Sequence, residues 1–254
     1  MLQSGRLSEE AMTRRRWIAD RWTENSATLL EEQAAHLARV LRAQVGQEFD
    51  IVAGHAVRRG IVEKVSAESV ELSLHEEMET AKSLPLIVGL SIVRFERMEW
   101  AIEKLTELGV ARIIPLRAQR SEKHLVQAAT KRCERWRKIS RESAQQSRRS
   151  QVPEISEPMS VTECIAESNN SLRYLFSEEE RSRSLWESLM TTDRNVTPSA
   201  KIYAAIGPEG GWTLSELSSF AECGWQSVSL GKNILRTETA AIAVASLISA
   251  WWNG

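Results

Sequence analysis

Two segments of the 254-residue sequence carry residue types suited to ligand chemistry. The first, Ile206-Gly207-Pro208-Glu209-Gly210-Gly211-Trp212-Thr213-Leu214-Ser215-Glu216, passes from an apolar run through a glycine turn into a helical pattern. Glycines just ahead of a helix let backbone amides approach a ligand closely, and the helix N-terminus favours negative charge. Thr213 and Glu216 have the spacing of a capping box, with Trp212 and Leu217 as the hydrophobic staple around it. The segment fits neither the Gly-x-Gly-x-x-Gly fingerprint nor the phosphate loop that ends in Gly-Lys-Ser/Thr. By itself it is also what any strand-to-helix turn uses. The second segment, Leu230-Gly231-Lys232-Asn233-Ile234-Leu235-Arg236-Thr237-Glu238-Thr239-Ala240-Ala241, repeats the order of strand, glycine turn and helix. The helix beyond it is apolar nearly all round and therefore buried. That leaves Arg236, Thr237, Glu238 and Thr239 as a polar cluster at its start. Thr237 as the cap and Glu238 against the helix dipole account for two of them. Arg236, a cation at the positive end of a helix, is not explained by capping.

The elements that position these segments read as strands alternating with helices from Leu84 onward. Leu84 to Val93 is the continuous apolar run of a buried parallel strand. Met98, Ala101, Ile102, Leu105 and Leu108 have helical spacing, closed by Gly109 as a C-terminal cap. Ala111 to Leu116 is a strand, Ala128 to Ser147 a long basic helix, and Leu172 to Phe176 and Ile202 to Ile206 are strands. Leu214 to Cys223 is a helix, Ser227 to Leu230 a strand, and Glu238 to Trp252 a helix. This alternation predicts an α/β domain, residues 84–254, with a parallel sheet covered on both faces. Residues 12–75 differ. Arg14 to Ala19, Glu48 to Val52, Val57 to Val65 and Ser69 to Leu74 read as short strands, with one helix at Gln33 to Ala43. A small β-barrel is expected there, joined to the second domain by a polar linker near 76–83.

No apolar run approaches the ~20 residues that cross a bilayer, and Arg14-Arg15-Arg16 is not followed by the apolar core of a signal peptide. A cytoplasmic chain is expected. Three scattered cysteines and four scattered histidines form neither a disulfide framework nor metal-ligand spacing. The formal net charge of −1 argues, taken alone, against a nucleic-acid partner. It averages a strong segregation, however. Residues 131–149 hold eight basic and two acidic groups, whereas residues 150–199 hold four basic and nine acidic ones. The basic stretch reads either as a solvated helix face beside an acidic loop or as an electrostatic footprint for phosphates.

The two glycine segments resemble the signature loops of the ribosomal RNA small subunit methyltransferase E family, which makes N3-methyluridine in bacterial 16S ribosomal RNA and belongs to the SPOUT superfamily. Lys104-Leu105-Thr106-Glu107-Leu108-Gly109-Val110 is similar to that family's Lys-Ala-Thr-Glu-Leu-Gly-Val, and Arg135-Trp136-Arg137-Lys138-Ile139 and Val152-Pro153-Glu154 follow in family order. Arg15-Arg16 and His36 to Gly46 resemble its PUA-like RNA-binding barrel. Two departures stand out. Arg148 replaces a usual glycine and Gln151 a usual arginine, while Lys232-Asn233 stands where Pro-Arg is usual.

The resemblance implies a C-terminal SPOUT domain tied in a trefoil knot, a homodimer, S-adenosylmethionine as cofactor, no metal, and 16S ribosomal RNA within the small subunit as partner. It places the cofactor against Leu175, Gly207, Pro208, Glu209, Gly210, Leu230, Gly231, Ile234, Leu235 and Thr239. These offer backbone hydrogen-bonding groups and apolar walls at the carboxyl ends of strands, where open α/β sheets bind ligands. Methylation at uridine N3 must remove a proton and stabilise an imide anion spread over O2 and O4. Arg236 is the candidate stabiliser. For the base, Glu209 stands against Glu238, which a helix N-terminus favours in its charged form and so makes a weak base; no base at all remains a third choice. Arg14, Arg15, Arg16, Arg120, Arg137, Arg141 and Arg149 are the candidate RNA contacts.

Overall fold

The structure, a computed structural model, describes residues 16–54, 56–78, 84–192 and 201–253. Arg14 and Arg15 therefore lie outside the described residues. Two compact units emerge, residues 1–82 with 144–151, and residues 83–143 with 152–254.

In the first unit, β1 (Arg16–Ile18), β2 (Arg21–Trp22), β3 (Ser26–Leu30), β4 (Glu48–Ala53), β5 (Ala56–Val65) and β6 (Ser69–Met78) form one sheet in the order β1-β4-β5-β6-β3-β2. β1 pairs parallel to β4 and every other pair is antiparallel. Alternation on β6 sends Val70, Leu72 and Leu74 into a core with Leu29, Ile51 and Val62. The expected barrel is an open half-barrel among the described residues, because β1 and β2 are its two edges and do not pair. The expected helix at Gln33 to Ala43 is also different in kind. α1 (Glu31–Ala35) runs straight into a π-helical turn, His36–Val40, closed by the Leu41 N–H on the His36 carbonyl at 3.1 Å.

The second unit contains a parallel sheet built from β7 (Leu84–Ser91), β8 (Val110–Arg117), β9 (Glu154–Ile155), β10 (Met159–Ser160), β11 (Leu172–Phe176), β12 (Ile202–Ile206) and β13 (Gln226–Val228). The order is β10-β8-β7-β12-β11-β13, with β9 on β8. The helices are α2 (Phe95–Glu107), α3 (Lys123–Gln146), α4 (Val161–Glu167), α5 (Leu185–Met190), α6 (Leu214–Glu222) and α7 (Thr237–Asn253). Side-chain parity sorts the sheet residues onto two faces. Leu86, Val88, Leu90, Tyr174, Phe176, Ala204 and Ile206 pack against Met98, Ile102, Trp136, Val244 and Ile248 from α2, α3 and α7. Ile87, Leu175, Tyr203 and Ala205 pack on the opposite face against Cys164, Trp212 and Phe220. Gly109 takes φ +82° after α2, the left-handed cap its position demands.

Residues 144–151, the end of α3 and the turn beyond it, group with the first unit. The Arg149 N–H reaches the Ala144 carbonyl at 2.9 Å and the Arg148 N–H reaches that of Gln145 at 3.3 Å, the paired bonds of a Schellman motif. Arg148 occupies the left-handed position of that motif at φ +54°, where glycine is the usual residue. A non-glycine residue there costs about 1 kcal/mol.

Candidate active site

Phe176, Ile206 and Val228, the last residues of β11, β12 and β13, stand in register with one another. All three line a cavity of about 1310 Å³. Its other walls are the two glycine segments, with Arg97 and Arg120. Small-molecule sites are commonly ~300–1,000 Å³, so this cavity leaves room for a second reactant beside one.

The walls are braced to each other by specific bonds. Thr213 caps α6 in a full capping box, its side chain accepting from the Glu216 N–H while the Glu216 carboxylate accepts from the Thr213 N–H at 2.8 Å. The other Glu216 oxygen accepts from the Gln119 N–H at 2.8 Å, tying the loop after β8 to the same helix start. Trp212 is buried, and its indole N–H donates to the Phe176 carbonyl at 2.9 Å. A Cβ on Gly207 would stand 3.0 Å from that indole nitrogen, so any side chain there would press on the buried ring. Thr237 opens α7, and its hydroxyl donates to the Gly207 carbonyl at 2.9 Å. The helix-capping role expected of Thr237 is thus replaced by a cross-link between the two segments. The cap position falls to Arg236, whose carbonyl accepts the Ala240 N–H at 2.8 Å.

Of the expected cofactor residues, Gly207, Pro208, Glu209, Leu230, Gly231, Ile234 and Leu235 line the cavity, as does Arg236, whose side chain is exposed there. Three do not. Leu175 points to the opposite face of the sheet, toward Tyr203 and Trp212, and its neighbour Phe176 faces the cavity instead. Gly210 is turned to Arg120, whose Nη1 donates to its carbonyl at 2.8 Å. Thr239 is exposed and lies off the cavity wall, where Thr237 and Ala240 stand.

Arg97 on α2 was not singled out by the sequence patterns. Its guanidinium forms an ion pair with Glu209, and its Nε lies 3.8 Å from Glu238 Oε1. Glu238 is 6% exposed, and its Oε2 is buried with no hydrogen-bond partner among the described residues. One arginine therefore serves both signature segments. Helical spacing could mark Arg97 as the neighbour of the buried Met98 but not reveal which loops it meets. Burial pushes the Cys133 and Cys164 thiols up to about 11 and about 12, which keeps both un-ionised at neutral pH.

The candidate RNA arginines separate. Arg120 lines the cavity. Arg137 donates to the Ile155 carbonyl at 3.2 Å and pairs with Glu157 at 2.7 Å. Arg141 lies on α3. Arg16 and Arg149 belong to the first unit, where burial pushes both guanidinium pKa values down. The acidic stretch also finds its role here. Glu154 and Glu167 pair with Arg112, Glu163 with Arg117, and Glu157 with Arg137. Part of the segregated charge is thus compensated inside the second unit.

Comparison with known proteins gives a consistent picture. Residues 80–249 match the RNA methyltransferase domain family. A ribosomal RNA small subunit methyltransferase E from Bacillus subtilis is 30% identical over 223 residues, covering 86% of this chain and 87% of its own. One from Synechocystis is 30% identical over 228 residues, covering 89% of this chain and 74% of its own. The crystal structure of a ribosomal RNA small subunit methyltransferase E from Neisseria gonorrhoeae, bound to S-adenosyl methionine, superposes with a TM-score of 0.78 at 28% identity, covering 94% of this chain and 98% of that one.

Proposed function

The chain belongs to the ribosomal RNA small subunit methyltransferase E family, and from that premise we propose that it methylates N3 of a uridine in 16S ribosomal RNA, with S-adenosylmethionine as the methyl donor. The observation that carries this reading is the cavity at the carboxyl ends of β11, β12 and β13, walled by both signature segments and wide enough for two reactants. Its chemistry fits the donor. Phe176, Ile206 and Val228 offer an apolar surface for an adenine ring, and the backbone from Leu230 to Leu235 offers hydrogen-bonding groups for its edge. When bound, the donor supplies an activated methyl group on a sulfonium, so the residues of the chain have only to position, orient and stabilise charge.

Uridine N3 gives its proton to solvent water at the open cavity before it attacks, and the negative charge that remains is spread over O2 and O4. Arg236 is the residue to meet that charge, since its guanidinium is exposed in the cavity and it immediately precedes a helix N-terminus that adds positive potential. The ion pair with Arg97 supports a loop-holding role for Glu209 rather than service as the base. Arg120, bonded to the carbonyl of Gly210, is placed to order the substrate side of the same loop. The family resemblance extends the proposal to a trefoil knot around the two segments, a PUA-like role for the first unit, a homodimer, and a cytoplasmic location with the small ribosomal subunit as substrate.

The test is nucleoside mass spectrometry of small-subunit RNA after incubation with the purified chain and S-adenosylmethionine. N3-methyluridine is expected; a ribose 2′-O-methyl product would replace the proposed site of attack. The Arg236→Ala variant should lose turnover by about 10²–10³-fold, the range for removing one charge-stabilising donor, while calorimetry shows its donor affinity retained. Near-normal turnover would remove Arg236 from its role.

A further inference from the structure

Arg97 is a cation in the first turn of α2, where the helix dipole favours an acid such as its neighbour Glu96. Helix stability therefore does not account for it. The turn that carries it is fixed. Met98 is fully buried in the core, and the Phe95 ring meets Trp136 edge-on at 6.0 Å while the Arg132 guanidinium lies 4.7 Å from its centre. From that turn the Arg97 side chain reaches two carboxylates on different signature segments. Nη1 pairs with Glu209, and Nε stands 3.8 Å from Oε1 of Glu238. All three residues belong to the second unit.

Each contact answers a need that the segments do not meet alone. Glu238 is buried in the first turn of α7, and its Oε2 finds no hydrogen-bond partner among the described residues. A buried carboxylate in that state is costly unless a cation stands by it, and Arg97 is that cation. Glu209 lies in the middle of the 206–212 turn, with half of its side chain exposed. The Thr237 hydroxyl already ties α7 to this turn, but at Gly207, where the turn begins. Arg97 fastens it again two residues on, so the segments are joined at two points. Arg236, which lines the cavity, directly precedes Thr237 and Glu238. Its place in the cavity is therefore set by where the first turn of α7 is held.

We propose that Arg97 is a positioning residue, which locks the first turn of α7 to the 206–212 turn and so sets where Arg236 meets the reacting base. With Nη1 and Nε turned to Glu209 and Glu238, it acts through Arg236 and makes no contact with the base itself. A guanidinium suits the task because its rigid fork presents separate nitrogens to two carboxylates, whereas an ammonium is a single point charge on a flexible stem. This role presupposes the RNA methyltransferase reading, and the measurements that test it keep the two apart.

Three measurements are made on the purified chain: single-turnover methylation of small-subunit RNA, calorimetry with S-adenosylmethionine, and hydrogen exchange read by mass spectrometry. Arg97→Gln should slow turnover about 10²-fold, the effect of displacing a group by about 1 Å at a reacting centre. Donor affinity should change by less than about threefold, the split expected when only the transition state loses an interaction. Amides of the two segments should exchange faster, and those elsewhere as before. Arg97→Lys keeps the charge without the fork and should recover part of the rate, to about tenfold below the unaltered chain; it carries the same tests should Arg97→Gln fail to fold. In an Arg236→Ala background, Arg97→Gln should cost no more than about twofold further, because nothing is left to position. Losses that multiply would overturn the proposal in favour of a general structural role. Turnover and exchange equal to those of the unaltered chain would also overturn it and leave the methyltransferase reading standing. If the unaltered chain forms no N3-methyluridine, that reading falls and exchange decides Arg97: faster exchange confined to the two segments supports the lock, and unchanged exchange overturns it.

Discussion

Arg135 and Arg149 belong to one basic stretch of sequence and have opposite fates. Both oxygens of Glu99 grip Arg135, at 2.6 and 2.7 Å from Nε and Nη2. No carboxylate grips Arg149 among the described residues; its charged neighbour is another arginine. The same contrast holds more widely. In the second unit, Arg112, Arg117, Arg135 and Arg137 each face a carboxylate from another part of the chain, whereas in the first unit burial is the main cause that lowers the Arg149 guanidinium. Counting charge along the chain merges these two populations. Pairing marks the arginines that hold the fold, and substitutions should divide along that line.

The largest effect is expected at Arg112. Its side chain is 17% exposed; it pairs with Glu154 at 3.2 Å and with Glu167, and it donates to Ser156 Oγ at 2.6 Å. Glu167 in turn accepts from the buried Tyr203 hydroxyl at 3.2 Å. Arg112→Met would leave Glu154, Glu167 and Ser156 without their shared cation; Glu167 is itself 33% exposed, so water takes up part of the loss and the cost is about 2 kcal/mol, between that of a buried and that of a surface pair. Urea unfolding should show the midpoint drop with the slope unchanged, and RNA affinity should be untouched. A loss below about 1 kcal/mol would place Arg112 with ordinary surface pairs instead.

What could be read in advance follows from the range of the interactions. The strands Leu172–Phe176 and Ile202–Ile206 were legible to the residue, because Tyr174-Leu175-Phe176 and all of Ile202–Ile206 are the continuous apolar runs of buried parallel strands. The start of α6 was legible from Thr213 and Glu216, because a capping box is local. β2 and β3 were not, since Arg21–Trp22 and Ser26–Leu30 are short or irregular in polarity. α4 and α5 were missed although Ser160 with Glu163 and Ser184 with Glu187 form full capping boxes, because helices of seven and six residues show too few turns for periodicity. Leu175 and Phe176 take opposite faces of the sheet and Phe176 lines the cavity, a distinction that a single residue of parity reverses. Arg97 depends on contacts far apart in sequence, with Glu209 and Glu238, which no window reveals.

An intermediate effect should appear in alkali, again in the second unit. Burial and the charge of Glu167 raise the Tyr203 phenol above its ordinary value, and burial raises Tyr174. The fold therefore favours both phenols protonated. The unfolded chain ionises them near 10, so stability is complete below that pH and falls as pH rises through it, by about 1.4 kcal/mol per unit for each tyrosine. The chain has two tyrosines in all. Tyrosinate absorbance should thus rise only together with unfolding; a native titration with a midpoint near 10 would mean that the hydroxyl beside Glu167 is open to water.

The smallest effect is expected at Arg135, and it bears most directly on the contrast between the two arginine populations. Arg135 is 59% exposed at its side chain and Glu99 is 19% exposed, so solvent screens the pair despite its forked geometry. Arg135→Ala should lower the urea midpoint only slightly, as for an exposed pair. The hydrogen bond from Arg135 is the main cause that lowers the Glu99 carboxyl below 4.5. A lowered carboxyl stabilises the fold fully above its unfolded value and loses that contribution as pH falls through the folded one. The variant and the unaltered chain should therefore differ at neutral pH and converge in acid, a convergence that urea midpoints at two pH values would reveal. Because Glu99 already neutralises this guanidinium, Arg135→Ala should leave the salt dependence of RNA binding within error of the unaltered chain. A drop of about one unit in the logarithmic salt slope, that of one lost phosphate contact, would mean that RNA displaces Glu99, and pairing would then no longer mark a structural arginine.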